Sequence, residues 1–139
     1  MCKSQVFGKN LNPISQHLQR IELDFHQDSE VSEKTRIIDL FGKLPNITSF
    51  MLLLASTKIS DESLFGLADV LQTSKLLNSL HLDLRNTKIT NQSIKDLLPD
   101  PSKFLKLKRF VLVVRSCPGI SDDAFTETLH FKEKIEESL

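Results

Sequence analysis

An eight-residue stretch occurs twice in this chain, and the second copy begins 30 residues after the first. The chain reads TKISDESL at 57–64 and TKITNQSI at 87–94. Large apolar residues keep the same interval, and they are Ile47, Leu77 and Leu107, together with Phe50, Leu80 and Phe110. A period near 30 indicates a chain of repeated supersecondary units, each of which buries its apolar face only by stacking on a neighbour.

One strand-like pattern recurs four times along the chain. Each copy has large apolar residues at its first, fourth, sixth and eighth positions. The copies are LQRIELDF from 18, ITSFMLLL from 47, LNSLHLDL from 77 and LKRFVLVV from 107. Because the last five positions alternate between apolar and variable residues, each copy predicts a β-strand with one face in the core.

A helix is predicted after each strand. An apolar residue followed by Ser or Thr precedes each one, at Val31-Ser32, Ile59-Ser60, Ile89-Thr90 and Ile120-Ser121. The hydroxyl suits the start of a helix because it accepts a backbone N–H. Apolar residues at helical spacing follow: Ile37, Leu40 and Phe41; Leu64, Leu67, Ala68 and Leu71; Ile94, Leu97 and Leu98; Phe125, Leu129 and Phe131. Pro99 and Pro101 predict that the third helix ends near Leu98.

This succession of strand, turn and helix resembles the leucine-rich repeat family, specifically its ribonuclease-inhibitor-like class with units near 30 residues. The best-matching copies are LNSLHLDLRNTKITNQSIKDLL and LKRFVLVVRSCPGISDDAFTETL. The resemblance implies an α/β fold, a curved leucine-rich-repeat solenoid with a parallel β-sheet on the concave face and helices on the convex face. The sequence departs from the family at the position where the chain leaves the strand. Thr57 and Thr87 stand where Asn or Cys is usual, and only Cys117 matches.

The repeat also predicts how the chain is divided. We expect four leucine-rich repeats over 18–131, at about 18–46, 47–76, 77–106 and 107–131. Residues 1–17 are expected to be a partial repeat or an N-terminal cap, and 132–139 a charged helical C-terminal tail. We expect the chain to be a piece of a longer array or a minimal array with improvised ends.

Composition argues against several classes of partner. Eighteen basic and eighteen acidic residues give a formal net charge of zero, so no electrostatic footprint for nucleic acid or an anionic membrane is expected. The chain has no apolar run of about 18 residues, which predicts no membrane span. Two cysteines and a start without an apolar segment predict a reduced, intracellular and cytoplasmic protein.

The variable strand positions are predicted to face a partner. Those expected to bind it are Arg20, Glu22, Asp24, Met51, Leu53, His81, Asp83, Arg109, Val111 and Val113. A solvated strand face is normally polar, yet the second and fourth strands carry apolar residues there. One interpretation is an apolar contact surface edged by arginines. The other is that these strands are merely hydrophobic, or are covered by a missing segment.

Catalytic and metal sites are not expected. His81 and Asp83 share a strand face, but no nucleophile or oxyanion donor accompanies them. Asp24 and His26 lie two strands away, about 10 Å at the usual strand spacing, too far to share a metal ion with that pair. Cys117 occupies a repeat position, which favours a buried structural role. We therefore predict no enzyme activity, no cofactor, no metal and no small-molecule substrate.

The hypothesis that follows is a non-catalytic protein–protein interaction module whose concave sheet face binds another protein. The resemblance leaves two alternatives open. One is a fragment of an F-box type substrate receptor of a ubiquitin ligase, which requires upstream sequence. The other is a regulator of a small GTPase, with Arg85-Asn86 and Arg115-Ser116 as the loop residues involved.

Overall fold

The computed structural model describes residues 19–40, 46–97 and 106–121. The elements in chain order are β1 (Arg20–Asp24), a 3-10 helix (Ile37–Leu40), β2 (Ser49–Leu53), α1 (Asp61–Leu64), α2 (Leu67–Gln72), β3 (Ser79–Asp83), α3 (Asn91–Leu97) and β4 (Arg109–Val113). The predictions for 1–17, Phe41, Leu98, the helix with Phe125, Leu129 and Phe131, and the tail 132–139 lie outside these residues.

The described strands form a four-stranded sheet in the order β1-β2-β3-β4, with every pair parallel. Residues that the repeat aligns are partners across the sheet, as in the row Ile21, Phe50, Leu80 and Phe110. The predicted α/β class and parallel sheet are confirmed. The repeat interval therefore sets the register, because a shift by one residue would turn each strand's apolar set away from the core.

The core lies between one face of the sheet and the helices. Phe50, Leu52 and Leu80 point into it from the strands, and Leu67 and Ile94 from the helices. Burial of such side chains contributes about 1.5–3 kcal/mol each, and this packing stabilises helices too short to persist alone.

Buried side chains at the ends of the strands bond to the backbone. The hydroxyl of Thr57 donates to the Leu54 carbonyl at 2.7 Å, and that of Thr87 donates to the Leu84 carbonyl at 2.8 Å. Cys117 is a free, buried cysteine, as predicted, and its Sγ lies 3.1 Å from the same Leu84 carbonyl. These bonds satisfy carbonyl groups where the chain leaves the sheet.

The loops after the strands share one unusual backbone feature. Gln27, Ser56, Asn86 and Ser116 each have a positive φ, between 53° and 61°, at the same place in successive units. Backbone bonds tie neighbouring loops together, from Ser56 N to the Arg85 carbonyl and from Asn86 N to the Arg115 carbonyl, both at 2.9 Å. Because all four loops repeat the same turn, their side chains lie side by side beyond the carboxyl ends of the strands.

The helices differ from the prediction in the first two units. Ser32 does not begin a helix: its N–H donates to Thr35 Oγ1, and only the short 3-10 helix follows. The same kind of bond, from the Ser60 N–H to Ser63 Oγ, stands at the start of α1, so it does not account for the missing helix. In the second unit the single predicted helix is split into α1 and α2 at Phe65 and Gly66. Gly66 has a φ of 82°, a left-handed conformation that ends α1 and starts α2 at a new angle.

Side chains at the helix starts join one unit to the next. Asp61, the first residue of α1, accepts hydrogen bonds from the Thr90 N–H at 2.8 Å and from the hydroxyls of Thr90 and Ser93. Asn91, the first residue of α3, accepts the Ser121 N–H at Oδ1 and donates from Nδ2 to the Ser121 hydroxyl. The helix layer is thus held by polar contacts that recur with the repeat.

Candidate functional site

The sheet face opposite the helices, which we call the open face, carries all ten residues predicted to bind a partner. They lie in three rows across the strands: Arg20, Ser49, Ser79 and Arg109; Glu22, Met51, His81 and Val111; Asp24, Leu53, Asp83 and Val113. Strand periodicity alone brings these side chains to one face. Whether they bind a partner stays a prediction.

Apolar side chains occupy the β2 and β4 parts of the open face. Met51 and Leu53 on β2, and Val111 and Val113 on β4, are all half-buried, so each keeps part of its surface accessible. His81 on β3 lies between the two apolar pairs and is half-buried as well. An apolar area with polar side chains around it is typical of a protein-binding surface.

Strand β1 presents a polar edge to this area. Arg20 and Glu22 form an exposed ion pair within the strand, and Asp24 Oδ1 accepts the His26 N–H at 3.0 Å. Exposed pairs of this kind contribute little to stability. The edge therefore affects solvation and charge on the open face more than folding.

Asp83 and Arg85 form the most ordered polar contact on the open face. Arg85 Nε donates to Oδ1 at 2.9 Å and Nη2 donates to Oδ2 at 2.8 Å, and the Arg85 N–H lies 3.3 Å from Oδ1. Asp83 is only 9% exposed, so its carboxylate has a fixed position. The hydrogen bonds and charge of Asp83 raise the pKa of Arg85 above its ordinary value. The guanidinium is thus held at the carboxyl end of β3.

This contact argues against His81 and Asp83 acting as an acid–base pair. The hydrogen bonds of the Asp83 carboxylate go to Arg85, and none joins it to the His81 ring. A carboxylate that orients a histidine for catalysis must accept a bond from its ring. Among the residues that the structure describes, no three His, Cys, Asp or Glu side chains come together to hold a metal ion.

A pocket of about 320 Å³ opens at the carboxyl end of the sheet, over the loops. Its described lining consists of His26, Ala55, Ser56, Arg85, Asn86, Arg115 and Ser116. Asn86 Nδ2 donates to Ser56 Oγ at 3.1 Å and so links two of the loops. Parallel sheets often bind ligands beyond the carboxyl ends of their strands. We call this site the loop pocket.

Part of this site was not predicted from the sequence. Arg85, Asn86, Arg115 and Ser116 were expected as loop residues of a small-GTPase regulator and Arg115 also as a charge at the edge of the contact surface, whereas no role was predicted for Ser56. The spacing of Asp83 and Arg85 contained a usable signal, because residues two apart on an extended chain point the same way. The pocket itself depends on the shared left-handed loop turn, which occurs here at Ser and Asn instead of Gly.

A second pocket lies on the helix side and has a volume of about 230 Å³. Phe65 and Gly66 line it together with Asp69, Lys95 and Asp96. Phe65 is 64% exposed, because the break between α1 and α2 turns it outward. The rest of its lining combines the buried apolar residues Leu64 and Ala68 with charged side chains.

Comparisons with models of protein families, with curated proteins and with solved structures found no match for this chain. Within 19–40, 46–97 and 106–121, no helix has the length and apolar character needed to cross a membrane. The sheet and its open face are therefore the observations that bear on the class of protein.

Proposed function

We propose that this chain is a leucine-rich-repeat solenoid of the ribonuclease-inhibitor-like class, and that it is a non-catalytic module that binds another protein on the open face. Three features support the solenoid. The strands pair in sequence order, aligned residues recur at steps of 29 or 30, and the loop turn and helix-start contacts recur with them. Neighbour-to-neighbour contacts of this kind are characteristic of stacked repeats.

The observation that carries the binding function is the apolar area on the open face. Met51, Leu53, Val111 and Val113 are accessible on the side of the sheet that faces away from the helices. A partner that covers them would gain about 25 cal/mol for each Å² of apolar surface removed from water. The polar residues around this area would set the orientation of the partner.

The test compares two variants of the full chain in an affinity pull-down from the lysate of its source cells. Met51→Asp/Val111→Asp places two charges in the apolar area. Phe65→Asp is the matched control, since it also replaces an accessible apolar residue by Asp, but among the helices. Both variants must first give the circular dichroism spectrum of the wild type.

We expect partners captured by the wild type to be lost with the double variant and kept with Phe65→Asp. Equal capture by all three proteins would contradict the proposal. Loss with Phe65→Asp alone would move the binding surface to the helix side.

The alternatives of an F-box type receptor fragment and a small-GTPase regulator stay predictions, as do the absence of nucleic acid, membrane and small-molecule partners and the intracellular location. The regulator would use Arg85-Asn86 and Arg115-Ser116, which line the loop pocket. A panel of GTPases assayed for GTP hydrolysis with and without the chain separates this alternative from simple binding.

A further inference from the structure

The loop pocket has the composition of a site for an anionic group. None of its described lining residues is acidic, and Arg85 and Arg115 both belong to it. Ser56, Asn86 and Ser116 add hydroxyl and amide groups that form hydrogen bonds. The pocket is open to solvent and holds about 320 Å³, which suits a side chain entering from a partner better than an enclosed ligand.

Arg85 is fixed in position before any ligand arrives. Asp83 holds its Nε and Nη2 atoms through two parallel hydrogen bonds, while 40% of the Arg85 side chain stays accessible. A guanidinium has five N–H donors, so others remain for a ligand. Because the side chain is already ordered, binding costs less conformational entropy than it would for a mobile arginine.

Arg115 supplies a charge that has no carboxylate partner among the residues that the structure describes. Its side chain is exposed. Arg85 is neutralised by Asp83, so a single arginine charge in the lining is uncompensated. A carboxylate carries one negative charge, which neutralises this arginine. A dianionic phosphate would leave one negative charge without a partner.

The loop pocket adjoins the open face, because residues that line it directly follow the strands. Ala55 and Ser56 follow Leu53 of β2, and Arg115 follows Val113 of β4 by two residues. A segment that covers the row Leu53, Asp83 and Val113 therefore lies next to the loop pocket.

We propose that the loop pocket binds an acidic side chain of the protein segment that occupies the open face, with Arg115 and the Asp83-held Arg85 as donors. This inference rests on the proposed function, since it names the chemistry of the partner at the same surface. The occupant is an acidic residue next to an apolar one.

The test uses synthetic peptides and the ¹⁵N-labelled full chain, so it does not need the natural partner. The probes are Ac-Leu-Glu-Val-NH₂, its neutral counterpart Ac-Leu-Gln-Val-NH₂, and the same peptide with phosphoserine in place of Glu. Each is titrated at millimolar concentration while the amide signals of Ser56, Asn86 and Ser116 are followed. Arg115→Gln removes the uncompensated charge. Arg36→Gln is the matched control, an exposed arginine before the 3-10 helix and outside the open face.

We expect the Glu peptide to bind about fivefold more tightly than the Gln peptide, the effect of one accessible charge pair, and to shift the three loop signals in a saturable way. Arg115→Gln should abolish this preference and Arg36→Gln should keep it. Equal affinity for the Glu and Gln peptides, no saturable shift with either, or a preference that survives Arg115→Gln would overturn the proposal. Much tighter binding of the phosphoserine peptide would overturn it in favour of a phosphopeptide.

The two experiments can contradict one proposal and leave the other standing. Loss of the Glu preference in the peptide titration, with lysate partners still sensitive to Met51→Asp/Val111→Asp, would remove only the acidic occupant. A clear Glu preference, with lysate partners insensitive to the double variant, would remove only the open-face function.

Discussion

The Asp83 carboxylate and the Arg85 guanidinium meet edge to edge, through Nε–Oδ1 at 2.9 Å and Nη2–Oδ2 at 2.8 Å. Two bonds between planar groups fix orientation as well as distance. Asp83 is buried at the end of a central strand, whereas Arg85 reaches the surface. The carboxylate, fixed by the sheet, therefore holds the guanidinium in one position in the loop pocket.

The first prediction concerns this pair. Asp83→Asn removes the charge and replaces an acceptor oxygen by a donor, so Arg85 loses one of its two side-chain bonds. We expect faster hydrogen exchange at Arg85 Nε and a small fall in melting temperature. The measurement is ¹⁵N NMR of the arginine Nε–H groups. Asp24→Asn, at the same repeat position on exposed β1, is the control that should leave Arg85 unchanged. An unaltered Nε exchange rate in Asp83→Asn would show that the pair does not order the arginine.

The sheet could be predicted from the sequence because two independent periods agree. Alternation within each strand sets which side chains are buried, and the 30-residue step sets which residues pair, as with Leu52 and Leu82. Both are properties of residue order alone. The ten residues expected on the open face are placed there by the same two periods, although their role in binding is untested.

The loops and the first helices could not be predicted in the same way. Ser32 matches the helix-start pattern and makes the same N–H bond as Ser60, yet only the short 3-10 helix follows it. The break at Gly66 depends on a left-handed backbone next to Ile38 of another unit. The loop pocket needs Ser56 and Asn86 in a conformation that is uncommon for non-glycine residues. The surroundings of Gly66 and of the pocket loops are tertiary contacts, which residue order alone does not show.

The second prediction is a pH dependence that arises at Asp61. Burial alone would raise the pKa of Asp61, but hydrogen bonds from Ser93 and Thr90 outweigh it, and the pKa lies below its ordinary value of 3.8. The folded state therefore binds protons less readily than the unfolded state does. The stabilisation by Asp61 is complete above about pH 3.8 and is lost as the pH falls through the lower folded pKa.

Urea unfolding of the wild type and Asp61→Asn tests this. We expect the variant to be less stable by about 1 kcal/mol at neutral pH, a charged hydrogen-bond contribution reduced for partial exposure, and the difference to shrink on acidification below pH 3.8. Asp69→Asn, an exposed acidic residue on α2, should show no such convergence. A difference that stays constant down to low pH would mean that the Asp61 charge does not stabilise the contact between units.

The third prediction distinguishes the two buried threonines. Thr57 is the side-chain donor to the Leu54 carbonyl, whereas the Leu84 carbonyl receives both Thr87 and the Cys117 thiol. Thr→Val keeps the shape and removes the hydroxyl. We expect Thr57→Val to cost about 1–2 kcal/mol, because a buried carbonyl loses its side-chain donor. Thr87→Val should cost less, because the thiol remains as a weak donor.

The measurement is the free energy of unfolding in urea, with Thr73→Val as the control. Thr73 is exposed, and its hydroxyl also donates to a carbonyl, that of Val70, so it shows the cost of losing such a bond in water. Equal costs for Thr57→Val and Thr87→Val would indicate that the Cys117 thiol contributes nothing at this position.

The fourth prediction compares Gly66 and Gly119, the glycines within the described residues, at which conformation or space is restricted. A Cβ on Gly119 would lie 2.8 Å from both the Ile89 carbonyl oxygen and Thr90 Cγ2. A Cβ on Gly66 would lie 3.1 Å from Ile38 Cδ1, the end of a flexible side chain. The strain at Gly66 comes mainly from its φ of 82°, which costs an Ala residue about 1–2 kcal/mol.

We expect Gly119→Ala to lower the free energy of unfolding by about 1–3 kcal/mol. This change should cost more than Gly66→Ala, because backbone atoms of the preceding unit must move. The clash would disturb the pairing of Gly119 with Thr90 and the bond from the Asn91 N–H to the Gly119 carbonyl. Urea unfolding gives the cost of each change, and hydrogen exchange at the Asn91 amide shows whether that bond has opened. The prediction would be wrong if Gly66→Ala cost more and the Asn91 amide stayed protected in Gly119→Ala. A Cβ at position 119 would then fit between the third and fourth units.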